Sequence, residues 1–243
     1  MASHDAIVSS IQQLAPQVLQ LTVAFRGNAF RFLPGQWVNF RFPEGVSRAY
    51  TIASAPELPD AVQLCVRIGA GRGGAALQNL KNGAAVTIDG PHGDFLLRDD
   101  DDRGVVFLAG DTGIAPVRSI VLHLLAARDG REIVVLYEPD QRHILYAADF
   151  DPLARSGQIV HMSGPIATLI ERKRAAVTAS TLMAAGFEEF LSRARTCVKK
   201  IGVDPGTIIE ESFGPTSRPC HGCGRHATND RSVVMASARM ILR

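Results

Sequence analysis

A cation, a phenol and a hydroxyl lie close together in the segment SRAYTIASAP, which spans residues 47–56. Arg48 and Tyr50 are two residues apart in a β-type run, so they share one face of a strand, and Thr51 comes next. An arginine fork suits a pyrophosphate, and a phenol ring can stack on another flat ring. A surface strand with a cation–π pair would use the same residues. The segment is therefore a candidate binding site whose meaning depends on the rest of the chain.

A second candidate site is the turn GDTGIAP at residues 110–116. It follows the apolar run GVVFLAG and precedes an amphipathic segment, which places it between a strand and a helix. Ligands bind at such strand ends in open α/β sheets. The helix N-terminus offers unpaired N–H groups to a phosphate, and Thr112 adds a hydroxyl donor. An ordinary tight β–α connection is the alternative, because the pattern is not G-x-G-x-x-G.

A third set of chemically active residues lies in the segment PCHGCGRH at 219–226. Its two cysteines and two histidines have a spacing similar to that of zinc sites, namely Cys220, His221, Cys223 and His226. An iron–sulfur cluster normally needs four cysteines. Cys65 and Cys197 fall in a predicted strand and a predicted helix, so neither is an obvious fourth ligand. We predict no metal site, and we assign no role to residues 214–243.

The composition narrows the class of protein that must hold these residues. The chain has 243 residues, of which 46% are hydrophobic and 21% charged, and its net charge is +2. This balance is that of a soluble globular protein and gives no reason to expect nucleic acid or a membrane surface as a partner. No run approaches the roughly 18 apolar residues of a membrane helix. Four scattered cysteines and no visible secretion signal lead us to expect a reducing cytoplasm.

Residues 5–97 are rich in short β-type runs separated by glycine and proline turns. The runs are VLQLTVAF, NAFRFL, QWVNFRF, AYTIAS, VQLCVRI and AAVTIDG. Their close spacing favours an antiparallel barrel or sandwich. The one helical pattern here is AALQNLKNG, which is predicted to end at Gly83.

The sequence pattern changes after RDDDDR, at residues 98–103, which we interpret as a solvated linker. GVVFLAG and EIVVLYE are continuous apolar runs, typical of strands buried on both faces. Helices are predicted in PVRSIVLHLLAARDG and at about 181–200, and GTIIEESF follows as a strand. This alternation predicts a parallel, Rossmann-like sheet. We therefore predict domains at 1–102 and 103–213, and a tail at 214–243.

Six stretches resemble, in the same order, motifs of the ferredoxin–NADP⁺ reductase family. They are FLPGQWVNF, SRAYTIAS, GAGRGGAALQNLKNGAAVTIDGPHGDF, LAGDTGIAP, MSGP and IIEESFG. The resemblance covers about residues 6–214. It implies a six-stranded antiparallel FAD-binding barrel, followed by an NAD(P)-binding domain with a five-stranded parallel sheet. It also implies that hydride passes from NADH or NADPH to FAD, and electrons to a separate redox protein or small acceptor.

The resemblance also implies the site. Arg48 would bind the pyrophosphate, Tyr50 the flavin ring and Thr51 the N5 edge, while Ser163 and the turn after the first parallel strand would line the nicotinamide end. Tyr50, Thr51 and Ser163 are the predicted catalytic residues. The predicted cofactor-binding residues are Arg48, Tyr50, Thr51, Arg67, Gly73, Gly74, Ala75, Gly110, Thr112, Gly113 and Phe213.

Several positions depart from the family pattern. Ser163 replaces the cysteine of a C-G-P motif, and Asp111 replaces a glycine, where a carboxylate would repel a pyrophosphate unless it points away. In YEPDQRH, Glu138 and Asp140 precede the lone cation Arg142, which favours NADH because an acidic group suits a free ribose diol.

The segment at 166–180 also departs, and we interpret it as an insertion. Its ERKRAA stretch is either a solvated helix face or a docking site for an acidic electron-carrier protein. Two other functions remain open for the whole chain. One is a non-catalytic regulatory subunit on a reductase scaffold, and the other is an electron-transfer subunit with a C-terminal metal or iron–sulfur site.

Overall fold

The computed structural model describes residues 3–27, 30–58, 60–98, 103–140 and 143–214. The first part of the chain forms six strands and one helix. They are β1 (Ser3–Ala15), β2 (Val18–Phe25), β3 (Trp37–Arg41), β4 (Ser47–Ile52), β5 (Ala61–Arg67), α1 (Gly71–Asn79) and β6 (Ala85–His92). The strands close into an antiparallel barrel in the order β1-β2-β5-β4-β3-β6. The predicted six-stranded barrel is confirmed.

Strand β1 closes the barrel because it pairs with both β2 and β6. Ala6, for example, lies opposite Phe25 on one side and Val86 on the other. The interior is filled by apolar side chains such as Phe40 and Ile88, both fully buried. Each such side chain contributes about 1.5–3 kcal/mol by leaving water. This packing makes the barrel a rigid support for residues at its rim.

Three details of the barrel differ from the sequence prediction. Strand β1 is absent from the predicted β-type runs, whereas the described part of NAFRFL, residues 30–33, forms no strand. Phe30 instead stacks on Phe25 with ring centroids 4.6 Å apart, so its apolar character reflects packing rather than strand pairing. Helix α1 ends at Asn79 and not at Gly83, since the Gly83 N–H donates to Val8 O at 2.8 Å and so joins the barrel.

The second part of the chain alternates strands and helices. They are β7 (Val105–Gly110), α2 (Ile114–Ala126), β8 (Ile133–Glu138), α3 (Ala147–Arg155), β9 (Val160–Ser163), α4 (Ile166–Arg172), α5 (Arg174–Ala179), β10 (Thr181–Gly186), α6 (Glu188–Lys200) and β11 (Ile209–Ser212). The strands form a parallel sheet in the order β11-β10-β7-β8-β9. The predicted five-stranded parallel sheet is therefore confirmed. No helix in the described ranges is long and apolar enough to cross a membrane.

The predicted helix at about 181–200 is wrong over its first residues, because Thr181–Gly186 form strand β10. This strand lies between β7 and β11, and Ala184 and Ala185 are fully buried there. Burial between two strands outweighs the helix propensity of TLMAAG. The residues at 166–180 form α4 and α5, which make the crossover from β9 to β10 and bury Leu169, Ile170 and Val177.

One hydrophobic core joins the barrel to one face of the sheet. Ala53, Cys65 and Phe95 of the barrel part belong to the same buried cluster as Ile114 and Tyr146 of the sheet part. Close packing of this kind resists relative movement of the two parts. The cleft between them is therefore bounded by two walls that are packed against each other.

Candidate functional site

A cleft of about 320 Å³ opens between the barrel and the carboxyl ends of the parallel strands. Its barrel wall includes the row Trp37, Thr51 and Cys65, which pair across β3, β4 and β5. Tyr50 and Arg67 also line it. The volume lies within the range of small-molecule sites, roughly 300–1,000 Å³. The structure thus brings Tyr50, Thr51 and Arg67 together, as the sequence predicts, and adds Trp37 and Cys65.

Tyr50 presents a neutral aromatic ring to the cleft. The ring packs edge-on against Phe40 and Phe42, with centroid distances of 5.9 and 6.4 Å. Burial raises the pKa of Tyr50 to about 12, although the nearby charge of Arg48 acts in the opposite direction. The phenol therefore keeps its proton at neutral pH and can serve as a flat support and hydrogen-bond donor.

The second wall of the cleft comes from the sheet. Thr112 lies in a short 3₁₀ turn, Asp111–Gly113, between β7 and α2. Phe187 follows β10 and Phe213 follows β11, and their rings meet edge to face at 6.0 Å. Thr112 and Phe213 were both predicted site residues, and both line this cleft.

Gly110 and Gly113 allow the turn to pack closely against β10 and α6. A Cβ on Gly113 would lie 2.0 Å from Ala185 O, and one on Gly110 would lie 2.4 Å from the Phe190 ring. Neither residue is among those that line the cleft. Gly110 and Gly113 therefore act through packing, by letting the turn settle on β10 and α6 so that Thr112 faces the cleft.

Ser163 lies away from the cleft. It ends the edge strand β9 opposite Tyr137, which in turn pairs with Ala109 of β7, so two strand spacings, about 10 Å, separate it from β7. The position beside the turn belongs to Gly186, the last residue of β10, and to Phe187, which follows it. The predicted placement of Ser163 beside Thr112 is thus wrong, because MSGP ends the edge strand β9, which does not neighbour β7.

Glu211 is a cleft residue that the sequence analysis does not single out. Burial, together with the negative charge of Asp94, raises the pKa of the Glu211 carboxyl to about 7. This group can therefore hold or release a proton near neutral pH at the wall of the cleft. Its signal in the sequence was its place in IIEESFG, two residues before Phe213.

Asp111 is turned toward the barrel. Arg67 donates a short hydrogen bond to the Asp111 carboxylate, and Arg67 Nη2 lies 3.3 Å from Asp140 Oδ2. Burial raises the pKa of Asp111, while the bond from Arg67 lowers it. Asp111 has a left-handed φ of +53°, a conformation otherwise typical of the glycine that it replaces. The Asp111 carboxylate is therefore directed at the barrel, and Arg67 is engaged in an ion pair.

A cationic cavity of about 260 Å³ lies at the start of β4, lined by Arg48 and Arg72. Arg48 packs against the first turn of α1, since a Cβ on Gly73 would lie 2.4 Å from Arg48 Nε. A Cβ on Gly74 would lie 1.8 Å from Gly69 O, so this turn also requires glycine there. Of the predicted N–H donors, Gly73 belongs to the first turn of α1, where N–H groups have no partner within the helix, whereas Gly74 and Ala75 lie four residues after Ala70 and Gly71 and point back to their carbonyls. Two arginines and a helix N-terminus form a site suited to a phosphate.

Glu138, at the end of β8, has its carboxylate engaged on both oxygens. Oε2 accepts from the Ile166 N–H at 2.7 Å, and Oε1 accepts from Arg193 Nη2 at 2.5 Å. These bonds fix a negative charge at the strand end where Rossmann-like sheets bind an adenosine ribose. The nearby cation Arg142 lies outside the described residues.

Two other predictions also lie outside the described residues. These are the DDDD segment with the domain boundary at 102/103 and the tail with Cys220, His221, Cys223 and His226. Within the described ranges, no group of three or more His, Cys, Asp or Glu residues is placed to hold a metal ion.

Comparison with known proteins finds a family match for the barrel part of the chain. Residues 5–96 match the family described as oxidoreductase FAD-binding domain. The chain is 34% identical over 158 residues to the reductase component DmpP of phenol 2-monooxygenase from Pseudomonas sp. (strain CF600), covering 62% of this chain and 44% of that protein. It is also 34% identical over 157 residues to ferredoxin–NADP reductase B from Sorangium cellulosum (strain So ce56), covering 62% and 64%. The predicted resemblance to ferredoxin–NADP⁺ reductases is confirmed.

Solved structures support the fold. The Amycolatopsis cytochrome P450 reductase GcoB superposes with a TM-score of 0.78 at 21% identity, covering 88% of this chain and 70% of that one. Ferredoxin–NADP⁺ reductase from Plasmodium falciparum superposes with a TM-score of 0.76 at 18% identity, covering 87% and 96%. The chain spans 35% to 64% of the length of the first four curated relatives.

Proposed function

We propose that this chain, whose residues 5–96 belong to the oxidoreductase FAD-binding domain family, is a flavoprotein oxidoreductase. It would take hydride from NADH or NADPH onto bound FAD and pass electrons to a separate acceptor. The observation that carries the proposal is the cleft in which Tyr50 and Thr51 of the barrel face Thr112 and Phe213 of the sheet. When bound, FAD would supply the electron chemistry, while the protein supplies binding and orientation.

The barrel residues fit a ligand that joins a flat ring to a pyrophosphate. Arg48 and Thr51 are three residues apart on β4, a span of about 10 Å. Arg48, with the N–H groups of the first turn of α1 up to Gly73, would bind the pyrophosphate. Tyr50 would support the ring, and Thr51 would donate its hydroxyl to the ring edge.

The sheet residues would hold the nicotinamide nucleotide. Thr112 offers a hydroxyl beside the start of α2, and Phe187 and Phe213 close the cleft against water. Glu211 would hold a proton on its carboxyl, consistent with a pKa of about 7. We leave Ser163 out of this site because it lies on the edge strand β9.

We propose NADH as the preferred nucleotide. The support is the carboxylate of Glu138, which is fixed at the end of β8 by the Ile166 N–H and by Arg193 and suits a free ribose diol. The measurement is the ratio of kcat/KM for NADH to that for NADPH. A ratio below one would contradict the preference, whereas the substitution Glu138→Gln should shift the ratio toward NADPH.

We propose that the acceptor is a partner protein. Relatives are named as reductase components of phenol 2-monooxygenase and terephthalate 1,2-dioxygenase, which supports an oxygenase component or a ferredoxin as the partner. We also propose that residues 1–102 form the flavin unit and residues 103–213 the nucleotide unit.

The test of the function is anaerobic reduction of the purified protein followed by visible spectroscopy. We expect a yellow protein that is bleached by NADH and recovers its colour when ferricyanide is added. A protein that stays colourless after incubation with FAD would contradict the proposal. Bound FAD that neither nucleotide reduces would favour a non-catalytic subunit.

A further inference from the structure

Two neighbouring residues of helix α2 donate side-chain hydrogen bonds to two neighbouring backbone carbonyl groups of the barrel. Arg118 Nη1 donates to Ala53 O at 2.7 Å, and Ser119 Oγ donates to Ser54 O at 2.7 Å. Both side chains are buried, with Ser119 fully so. Hydrogen bonds to buried carbonyls are costly to lose, because the freed oxygen cannot reach water. The two bonds therefore fix α2 in register with the chain that follows β4.

Arg118 is held from several directions at once. Nη1 also donates to Gln63 Oε1 at 2.9 Å, and Nε donates to Asp149 Oδ2 at 2.7 Å. The guanidinium carbon lies 4.7 Å from the centroid of the Tyr146 ring. Gln63 belongs to the barrel, whereas Asp149 and Tyr146 belong to the sheet part. One planar guanidinium thus joins both parts, which a lysine could not do because it lacks the rigid fork.

The residues that make these bonds are close in sequence to residues that line the two walls of the cleft. Ala53 is two residues after Thr51, and Arg118 is six residues after Thr112, through one continuous turn and helix. A shift of α2 relative to the barrel would therefore move Thr112 relative to Thr51. The bonds of Arg118 and Ser119 oppose such a shift.

We propose that Arg118 and Ser119 are positioning residues that set the separation of the two cleft walls, and thereby the distance over which hydride passes. This inference rests on the proposed function. Hydride transfer requires reacting atoms about 3–3.5 Å apart, and a misplacement of about 1 Å can cost roughly 100-fold in rate. The two residues touch neither wall directly and act through the alignment of the two parts.

The test compares Arg118→Met and Arg118→Lys with the control Arg131→Met in FAD-loaded protein. Arg131 is matched because its side chain is 10% exposed, like that of Arg118, and its ion pair with Asp129 stays within one turn of the sheet part. Stopped-flow reduction under anaerobic conditions, at increasing NADH, gives the limiting rate per bound flavin and the nucleotide Kd. We expect Arg118→Met to lower the limiting rate about 10- to 100-fold, with the Kd within about threefold. The limiting rate of Arg118→Lys should lie between those of Arg118→Met and the parent protein, and the limiting rate of Arg131→Met should equal that of the parent protein.

Reduction by dithionite separates positioning from general damage, because this small reductant needs no aligned nucleotide. Its rate should be the same in all variants. A parent-like limiting rate in Arg118→Met, or an equal loss with dithionite, would overturn the inference. If Arg118→Met does not fold, Ser119→Ala and Arg118→Lys decide by the same two rates. A parent protein that holds FAD but is reduced by neither nucleotide would instead overturn the proposed function.

Discussion

The substitution Asp111→Asn tests whether the carboxylate in the turn Asp111–Gly113 stabilises the folded protein or acts on the bound nucleotide. Asparagine tolerates the left-handed backbone as aspartate does, so the change removes charge without adding strain at φ +53°. Arg67 and Asp111 have side chains only 14% and 10% exposed. Removing one partner of a buried ion pair costs about 3–5 kcal/mol.

Arg67 keeps two hydrogen-bond acceptors in the Asp111→Asn variant, and they reduce this loss of stability. Arg67 Nη2 retains Asp140 at 3.3 Å, and the oxygen of the asparagine can still accept a hydrogen bond. We therefore expect about half of the full penalty, roughly 2 kcal/mol. For a chain of this length that corresponds to a fall in Tm of about 4–8 °C. Asp140→Asn, which removes the more distant carboxylate, should cost less than about 1 kcal/mol.

The assay is urea unfolding of the FAD-loaded protein, combined with titration of the nucleotide. The nucleotide Kd of Asp111→Asn should stay within about threefold of the parent value, because the carboxylate is directed at Arg67 of the barrel. A tenfold gain in nucleotide affinity with unchanged unfolding free energy would refute this reasoning. It would mean that the negative charge acts on the nucleotide and not on the barrel.

Three further predictions concern the cofactor site and the cleft. Gly73→Ala should weaken FAD binding about tenfold, because its Cβ would lie 2.4 Å from Arg48 Nε, whereas Gly69→Ala, which meets nothing within 4 Å, should not. Equilibrium dialysis measures both. The double variant Tyr50→Ala with Arg48→Ala should be purified without flavin, and full flavin content would contradict the assigned roles. The pKa of Glu211 is raised from 4.5 to about 7, so its stabilising contribution is complete at low pH and is lost as the pH rises through about 7. Glu211→Gln should therefore reduce the loss of unfolding free energy between about pH 5 and about pH 8 by roughly 2 kcal/mol, and an unchanged pH profile would count against the shifted pKa.

Much of the fold could be read from the sequence because its elements follow regular patterns. VVFLAG and IVVLYE are continuous apolar strands in the sheet, as predicted. Strand β1 was harder to recognise because its register shifts between Val8 and Ser10 and again between Gln13 and Ala15. Each bulge interrupts the alternation of inward and outward side chains that identifies a strand. Strand β10 was missed because Leu, Met and Ala are good helix formers, and only its neighbours in the sheet favour a strand.

The candidate site, like the fold, could be predicted from the sequence only in part. Tyr50, Thr51, Thr112 and Phe213 lie in stretches whose residue types already indicate chemistry, and the structure brings them together. Ser163 was misplaced because MSGP ends the edge strand β9, and the residue types of this stretch do not indicate where the strand lies in the sheet. Pairing of Asp111 with Arg67 joins positions 44 residues apart, and local sequence gives no sign of it.

The position of β11 at one edge of the sheet has a consequence for how the molecule matures during synthesis. This strand pairs with β10 alone, and it is the last of the described strands to leave the ribosome. A nascent chain that stops before residue 209 could close the barrel and pair β7 to β10, yet it would have no Glu211 or Phe213. Such a chain would lack the part of the cleft wall that these two residues form. Synthesis of the final strand therefore completes the cleft between the barrel and the sheet.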